Sequence, residues 1–302
     1  MFSYLTDYGE LKEISLYSTY SDNRIKDCVI NARSELITPL GVLIPQYEHA
    51  EVRRKHTYSV SFYPSGKLSR VALHNQTTVN TPIGKLPAEL ITFYESGNIK
   101  KLFPLNGHIS AYWSEDDEYK LAEEFYFNFS FGSFKAKIIG IGFYENGSVR
   151  SLTLWPNDII TLNTPIGEHK ARIGFSLYPD GSLESFEPAV PINVMTPIGT
   201  INSFDQYANG ISGDKNSISF YENGSIKSLI TSNSKVIATV QDNIAKVHSP
   251  IYIGEMYESE LFFRSLQIDF EKNIVLFNRQ DKYKIEEYTF KVEPYIKSSH
   301  SK

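Results

Sequence analysis

Phe220-Tyr221-Glu222-Asn223-Gly224-Ser225-Ile226-Lys227-Ser228-Leu229 decides the reading of this chain, because the same ten-residue pattern returns four more times. It stands at 62 as Phe-Tyr-Pro-Ser-Gly-Lys-Leu-Ser-Arg-Val and at 93 as Phe-Tyr-Glu-Ser-Gly-Asn-Ile-Lys-Lys-Leu. At 143 it is Phe-Tyr-Glu-Asn-Gly-Ser-Val-Arg-Ser-Leu, and at 177 Leu-Tyr-Pro-Asp-Gly-Ser-Leu-Glu-Ser-Phe. Tyr, two turn formers, Gly, any residue and an aliphatic describe a hairpin closed by a type I turn and a residue at positive φ, the region Gly enters freely and Asn next best. Tyr20, with Asn23 in the Gly place, therefore reads as a further copy, and a weaker one is expected around Gly9.

A second motif follows the first: Thr38-Pro39-Leu40-Gly41, Thr81-Pro82-Ile83-Gly84, Thr164-Pro165-Ile166-Gly167 and Thr196-Pro197-Ile198-Gly199. The Thr comes 15 residues after the turn Gly or Asn in three cases and 17 in the other. Each unit is thus two hairpins, with Pro placed where it presets a turn without removing a ladder N–H. Asn128 to Gly132 and Ser249-Pro250-Ile251-Tyr252-Ile253-Gly254 look like degenerate copies.

The flanking segments Leu73 to Val79 and Ile160 to Thr164 alternate with the period of a strand. Such alternation puts Phe62, Phe93, Phe143 and Phe220 on one face with Leu68, Ile99, Val149, Leu183 and Ile226, and these are the expected core. Cys28 falls where other copies have Leu102, Leu152 and Leu229, so it too is expected to be buried. Only Glu118 to Glu124 and Asp281 to Tyr288 suggest helix, and both are short enough to be loop turns or strands instead.

The hairpins at 20, 63, 94, 144, 178 and 221 resemble MORN-type repeats and the antitoxin-like β-hairpin repeat proteins related to them. This unit is longer, and its Thr-Pro-Ile-Gly hairpin is an addition to that pattern. The resemblance implies an elongated, twisted antiparallel array of tandem β-hairpins, a MORN-like single sheet or open solenoid. It also implies a binding or scaffolding role, and it carries over no active site. The all-β array is expected over 1–247, with 248–302 forming an irregular β cap of the same domain.

Composition narrows the classes of function. Across 302 residues the formal charge is −5, which offers no basic field to phosphates and argues against nucleic acid as a partner. The basic run Arg53-Arg54-Lys55 reads as a solvated loop. The single cysteine cannot form an internal disulfide and fits a reducing compartment. No run approaches the length of a spanning helix, and Met1 to Glu13 lacks an apolar stretch, so a cytoplasmic protein without membrane attachment is expected. No His-x-x-x-His or Cys-linked spacing supports a metal, and the glycine motifs at 132 and 140–142 precede no helix, so no cofactor is expected.

Function is best sought where the period breaks, because departures from a repeat map to loops. The breaks are Gln46 to His56, Asn106 to Glu124, Asp205 to Asn216 with Gly210 and Gly213, and the stretch after Val247. The second opens on Asn106-Gly107, a two-residue hairpin signal. It then presents Tyr112, Trp113, Glu115, Asp116, Asp117 and Glu118, the candidate ligand-binding residues. Successive carboxylates beside an indole suit oxygen ligation of a cation, or acid-base work on a sugar stacked on the Trp; an acidic turn in water is the plain alternative. No catalytic residue is assigned. The expectation is a non-catalytic binding or scaffolding module for a protein or extended ligand. The alternative is a carbohydrate-binding or carbohydrate-hydrolysing protein using 115–118 and Trp113. A row of Tyr63, Tyr94, Tyr144, Tyr178 and Tyr221 offers a stacking surface if left uncovered. The open sheet edges allow self-association.

Overall fold

The computed structural model describes residues 2–48, 52–54, 57–208, 216–240, 243–254 and 261–296. Among them the chain is all-β, its strands paired antiparallel, apart from one seven-residue helix, Glu115–Leu121, and an isolated parallel bridge between Phe204 and Thr231. Parts of the Gln46 to His56 and Asp205 to Asn216 breaks, Gly210 and Gly213 among them, lie outside the described residues. Two compact units emerge. Unit 1 comprises Met1–Tyr126, Lys135–Trp155 and Pro179–Gly181; unit 2 comprises Phe127–Phe134, Pro156–Tyr178 and Ser182–Lys302.

The two turn motifs fold as their chemistry dictates. In the first type the Tyr N–H donates to the carbonyl four residues on, at 2.8 Å for Tyr63 to Lys67 and Tyr94 to Asn98, while the Gly N–H donates back to the Tyr carbonyl. Gly66, Gly97, Gly147 and Gly224 sit at φ from +79 to +91, and Asn23 at +65, which is why only Gly or Asn closes these turns. In the second type the Thr hydroxyl donates to the Gly carbonyl, at 2.6 to 2.8 Å in all four copies, and accepts the N–H two residues on. Gly9 belongs here rather than with the first type: Thr6 Oγ1 donates to its carbonyl at 2.7 Å.

Strand register turns these repeats into a layered core. In unit 1, Cys28, Val60, Val71, Ile91, Leu102, Ile141 and Leu152 are successive cross-strand partners. In unit 2 the row is Phe175, Phe186, Ile218, Leu229, Ile268 and Phe277. All of these side chains are buried. Each Phe or Leu of the repeat pairs with the aliphatic after the Gly, as Phe62 with Leu68 and Phe143 with Val149, so both reach the same face. Ile226 alone of the expected core is half-buried. The Thr-x-x-Gly hairpins supply further buried side chains, Leu36 and Leu43 from one, Val79 and Leu86 from another. The strand Leu68–Thr81 serves both hairpins, shifting register between Ala72 and Thr77.

Four local expectations change. Asn106-Gly107 forms no hairpin, because its N–H groups are taken by carboxylates rather than by a partner strand. The helix begins at Glu115, three residues before the expected start, while at Asp281 the strand alternative holds, as Asp281–Lys284. Ser249-Pro250 only joins two strands, and Gly254 pairs with Leu261, so this is not a Thr-Pro-Ile-Gly turn. Finally, the region expected to be an irregular cap contains regular strands. Leu266–Glu271 pairs with Ile226–Thr231, and Ile274–Phe277 and Asp281–Lys284 extend that ladder.

Candidate functional site

The acidic segment is a structural knot. Ser114 caps the helix, accepting from the Asp117 N–H at 3.2 Å while the Asp117 carboxylate accepts from the Ser114 N–H at 3.1 Å, a reciprocal capping box. Glu118 is buried and accepts from Arg53 Nε at 2.7 Å and Nη2 at 2.8 Å, from Trp113 Nε1 at 2.7 Å and from the Gly107 N–H at 2.8 Å. The same Arg53 donates to both oxygens of buried Glu89. A Cβ added at Gly107 would overlap the Glu118 carboxylate, so a larger residue here would have to displace that side chain from its partners. Of the six predicted site residues, then, Trp113 and Glu118 are joined to each other, Asp117 serves the helix, and Tyr112, Glu115 and Asp116 face solvent. The carboxylates point apart rather than round one ligand space.

The tyrosine row has a similar fate. Five of the hydroxyls donate to the carbonyl of the Phe that opens a later copy: Tyr20 to Phe62, Tyr63 to Phe93 and Tyr94 to Phe143 in unit 1, at 2.7 to 2.9 Å. In unit 2 Tyr178 reaches Phe220 at 2.8 Å and Tyr221 reaches Phe270 at 2.6 Å. These half-buried rings tie hairpin to hairpin and offer no open stacking row.

A different arrangement stands out in unit 2. The residue before each Phe-Tyr pair and the one before the closing apolar residue are cross-strand partners, so Ser176, Ser185, Ser219, Ser228 and Asp269 form one continuous row over five strands. Side chains alternate along a strand, so this row lies on the face opposite the buried Phe186 row. It floors a groove of about 560 Å³ lined also by Glu184, Glu187, Asp205, Tyr207, Lys227 and Gln267. A second cavity of about 620 Å³ adjoins it, sharing Asp205, Tyr207, Ile230 and Gln267. The serine hydroxyls pair along the row, Ser176 with Ser185 at 2.6 Å and Ser219 with Ser228 at 2.8 Å.

Four carboxylates, Glu184, Glu187, Asp205 and Asp269, line the groove against two cations, Lys227 and Arg279. Arg172 Nη2 lies 3.6 Å from Glu187, Lys227 Nζ 3.7 Å from Glu184 and Arg279 Nε 4.0 Å from Asp269. Glu187 is 1% exposed and accepts from the Ser217 N–H at 2.7 Å and its hydroxyl at 3.0 Å. Burial pushes its carboxyl up to about 7, against the Ser217 bonds and Arg172, which favour the charged form. Among the described residues no group of three His, Cys, Asp or Glu side chains is placed to hold a metal ion. The thiol of Cys28 is fully buried, and burial pushes it up to about 12, so it stays protonated and unreactive at neutral pH.

The groove was readable in part. Serine recurs at fixed places in the repeat, Ser176, Ser219, Ser185 and Ser228, but without an apolar period to mark it. No helix of the described residues is long and apolar enough to cross a membrane. No family model matches the chain, and neither a curated protein nor a solved structure shows a significant match to it.

Proposed function

We propose that this chain is a non-catalytic binding module of MORN-like hairpin repeats whose ligand site is the polar groove of unit 2. One observation carries the reading: the Ser176 to Asp269 row aligns hydrogen-bonding side chains from five strands along a concavity large enough for a ligand. A sheet that served only as a scaffold would not need a recessed polar row. Backbone bonds hold the strands beneath it, so the site is preorganised and binding orders few groups. A cytoplasmic location accords with the lone buried thiol, Cys28.

The test uses arrays of peptides and glycans probed with the parent, with Ser228→Tyr, which fills the groove, and with Asp116→Ala in the acidic segment. The reading expects a parent ligand that Ser228→Tyr loses, at unchanged melting temperature, and Asp116→Ala keeps. Loss in Asp116→Ala alone would move the site to the segment around Trp113. Parent binding to nothing on either array would remove the binding reading.

A further inference from the structure

Unit 1 carries a groove of its own, about 540 Å³, lined by Asp27, Ser61 and Arg70 and by Leu16, Val29 and Tyr58. The three polar residues are chain neighbours of Cys28, Val60 and Val71 in the buried row, so alternation turns them to the opposite face of the sheet. Register sets them in a line: Asp27 pairs with Ser61, and Ser61 with Arg70, on three neighbouring strands. One carboxylate and one guanidinium therefore flank a serine hydroxyl, two strand spacings or about 10 Å apart at their Cα atoms.

Neither charge has a counter-ion at hand. Arg70 Nη1 donates to the Tyr58 carbonyl, Asp27 accepts from the Ser18 hydroxyl at 2.8 Å, and among the described residues neither forms an ion pair. A guanidinium carries more N–H groups, and a carboxylate more lone pairs, than one bond uses, so both keep capacity for a ligand. Burial holds the Arg70 guanidinium below its ordinary value, with the Asp27 charge pulling the other way, as befits a desolvated cation lacking an adjacent anion. At the groove wall Thr57 Oγ1 is buried with no hydrogen-bond partner. A purely cationic ligand would leave Arg70 uncompensated, and a purely anionic one would leave Asp27 so, whereas a dipolar molecule serves both.

Length selects the dipole. An ammonium nitrogen and a carboxylate carbon on one Cα are about 2.5 Å apart. With a charge-assisted hydrogen bond at each end, the reach from carboxylate to guanidinium comes to about 8 to 9 Å, close to the span across the two strand spacings. The termini of a dipeptide stand roughly 3.5 Å further apart and would overshoot. Beside the line lie the cross-strand partners Leu16 and Val29, with Leu16 56% and Tyr58 39% exposed, an apolar surface for a side chain on that Cα. We infer that this groove binds a free α-amino acid with an apolar side chain, its ammonium on Asp27, its carboxylate on Arg70 and its side chain against Leu16 and Tyr58. The site is separate from the groove of unit 2 and stands whether or not that groove binds a ligand.

The experiment titrates the full chain with L-leucine, L-methionine and L-phenylalanine by calorimetry and saturation-transfer NMR. Beside each runs its N-acetyl derivative, which lacks the ammonium, and its amide, which lacks the carboxylate. The expected result is millimolar or tighter binding of at least one amino acid, with both of its derivatives weaker by about tenfold or more. Asp27→Asn, which keeps an acceptor for Ser18, and Arg70→Gln should each weaken it by about tenfold at unchanged melting temperature. Ser228→Tyr, in the groove of unit 2, should leave it unchanged. The derivatives test each charge in the parent protein, so the outcome does not hang on either variant folding. Binding of none of the amino acids at millimolar concentration, or of a derivative as tightly as its parent amino acid, would overturn the inference. So would binding that survives both Asp27→Asn and Arg70→Gln, and binding lost in Ser228→Tyr would move the amino acid to unit 2 and overturn it as well.

Discussion

Glu187→Gln should abolish a pH dependence that the buried carboxyl imposes on unit 2. The folded protein holds this carboxyl at about 7, whereas an exposed glutamate has 4.5. The folded state therefore binds more protons than the unfolded state between those values, so its stability is full below pH about 4.5 and declines up to about 7. A shift from 4.5 to about 7, at 1.36 kcal/mol per pH unit, amounts to about 3 kcal/mol. The opposite slope comes from His248, which burial against Phe277 holds down at about 4, so it destabilises the fold as pH falls below 6.5. Subtracting the variant's curve from the parent's cancels that contribution. Gln keeps the neutral hydrogen bonds, its carbonyl facing the Ser217 N–H and its amide facing the hydroxyl, so any constant offset carries no pH slope. Both tryptophans, Trp113 and Trp155, lie in unit 1, so the assay must report on unit 2 directly. Urea titrations followed by the methyl NMR signals of Ile218 and Leu229 at several pH values do so. A parent-minus-variant difference that stays flat to within about 0.5 kcal/mol from pH 4.5 to 8 would refute the reasoning.

Three further outcomes are expected. Arg53→Ala leaves buried Glu89 and Glu118 without their shared cation and should cost about 3–5 kcal/mol, with Trp113 fluorescence shifting as its acceptor moves; an unchanged urea midpoint would contradict this. Gly147→Val forces a β-branched residue to φ +89, with its Cβ 3.2 Å from Pro82 Cγ, and should destabilise by about 1–3 kcal/mol in urea. The same change at Asn23 is expected to cost less, and equal stability of the Gly147 variant and the parent would mean the turn relaxes out of the left-handed region. Tyr94→Phe removes the hydroxyl bonded to the Phe143 carbonyl at 2.9 Å and should lower stability by about 1 kcal/mol in a thermal melt, whereas Tyr112→Phe, fully in solvent, should change nothing.

The repeat was legible because a tight turn fixes register, and register fixes which face each side chain takes. From the Gly at 66 or 147 alone it follows that Phe62 meets Leu68 and Phe143 meets Val149, and the same alignment puts Cys28 in the core. Phe270-Glu271-Lys272-Asn273-Ile274 escaped notice because Glu replaces the Tyr and no Gly closes the turn, although Lys272 adopts φ +51. The acidic segment was legible only in part. Its helix start was written in Ser114 and Asp117, three apart, but the partner that turns Glu118 inward, Arg53, is 65 residues away. Likewise the groove needs Glu187, Asp205 and Gln267 together, and only the strand order assembles them.

The hydroxyl-to-carbonyl tie between hairpins spans 42, 30 and 49 residues of sequence in unit 1 and 42 and 49 in unit 2, yet its length barely changes. The coupling is therefore blind to whatever chain lies between two hairpins. It also has a polarity, since the earlier hairpin always gives the proton and the later one always receives it. A duplicated hairpin inserted at any such joint inherits both a donor for its successor and an acceptor for its predecessor, with no new contact to invent. Chains of this kind can grow by tandem copying and acquire long excursions between copies, such as the one holding Trp113, without disturbing the seam.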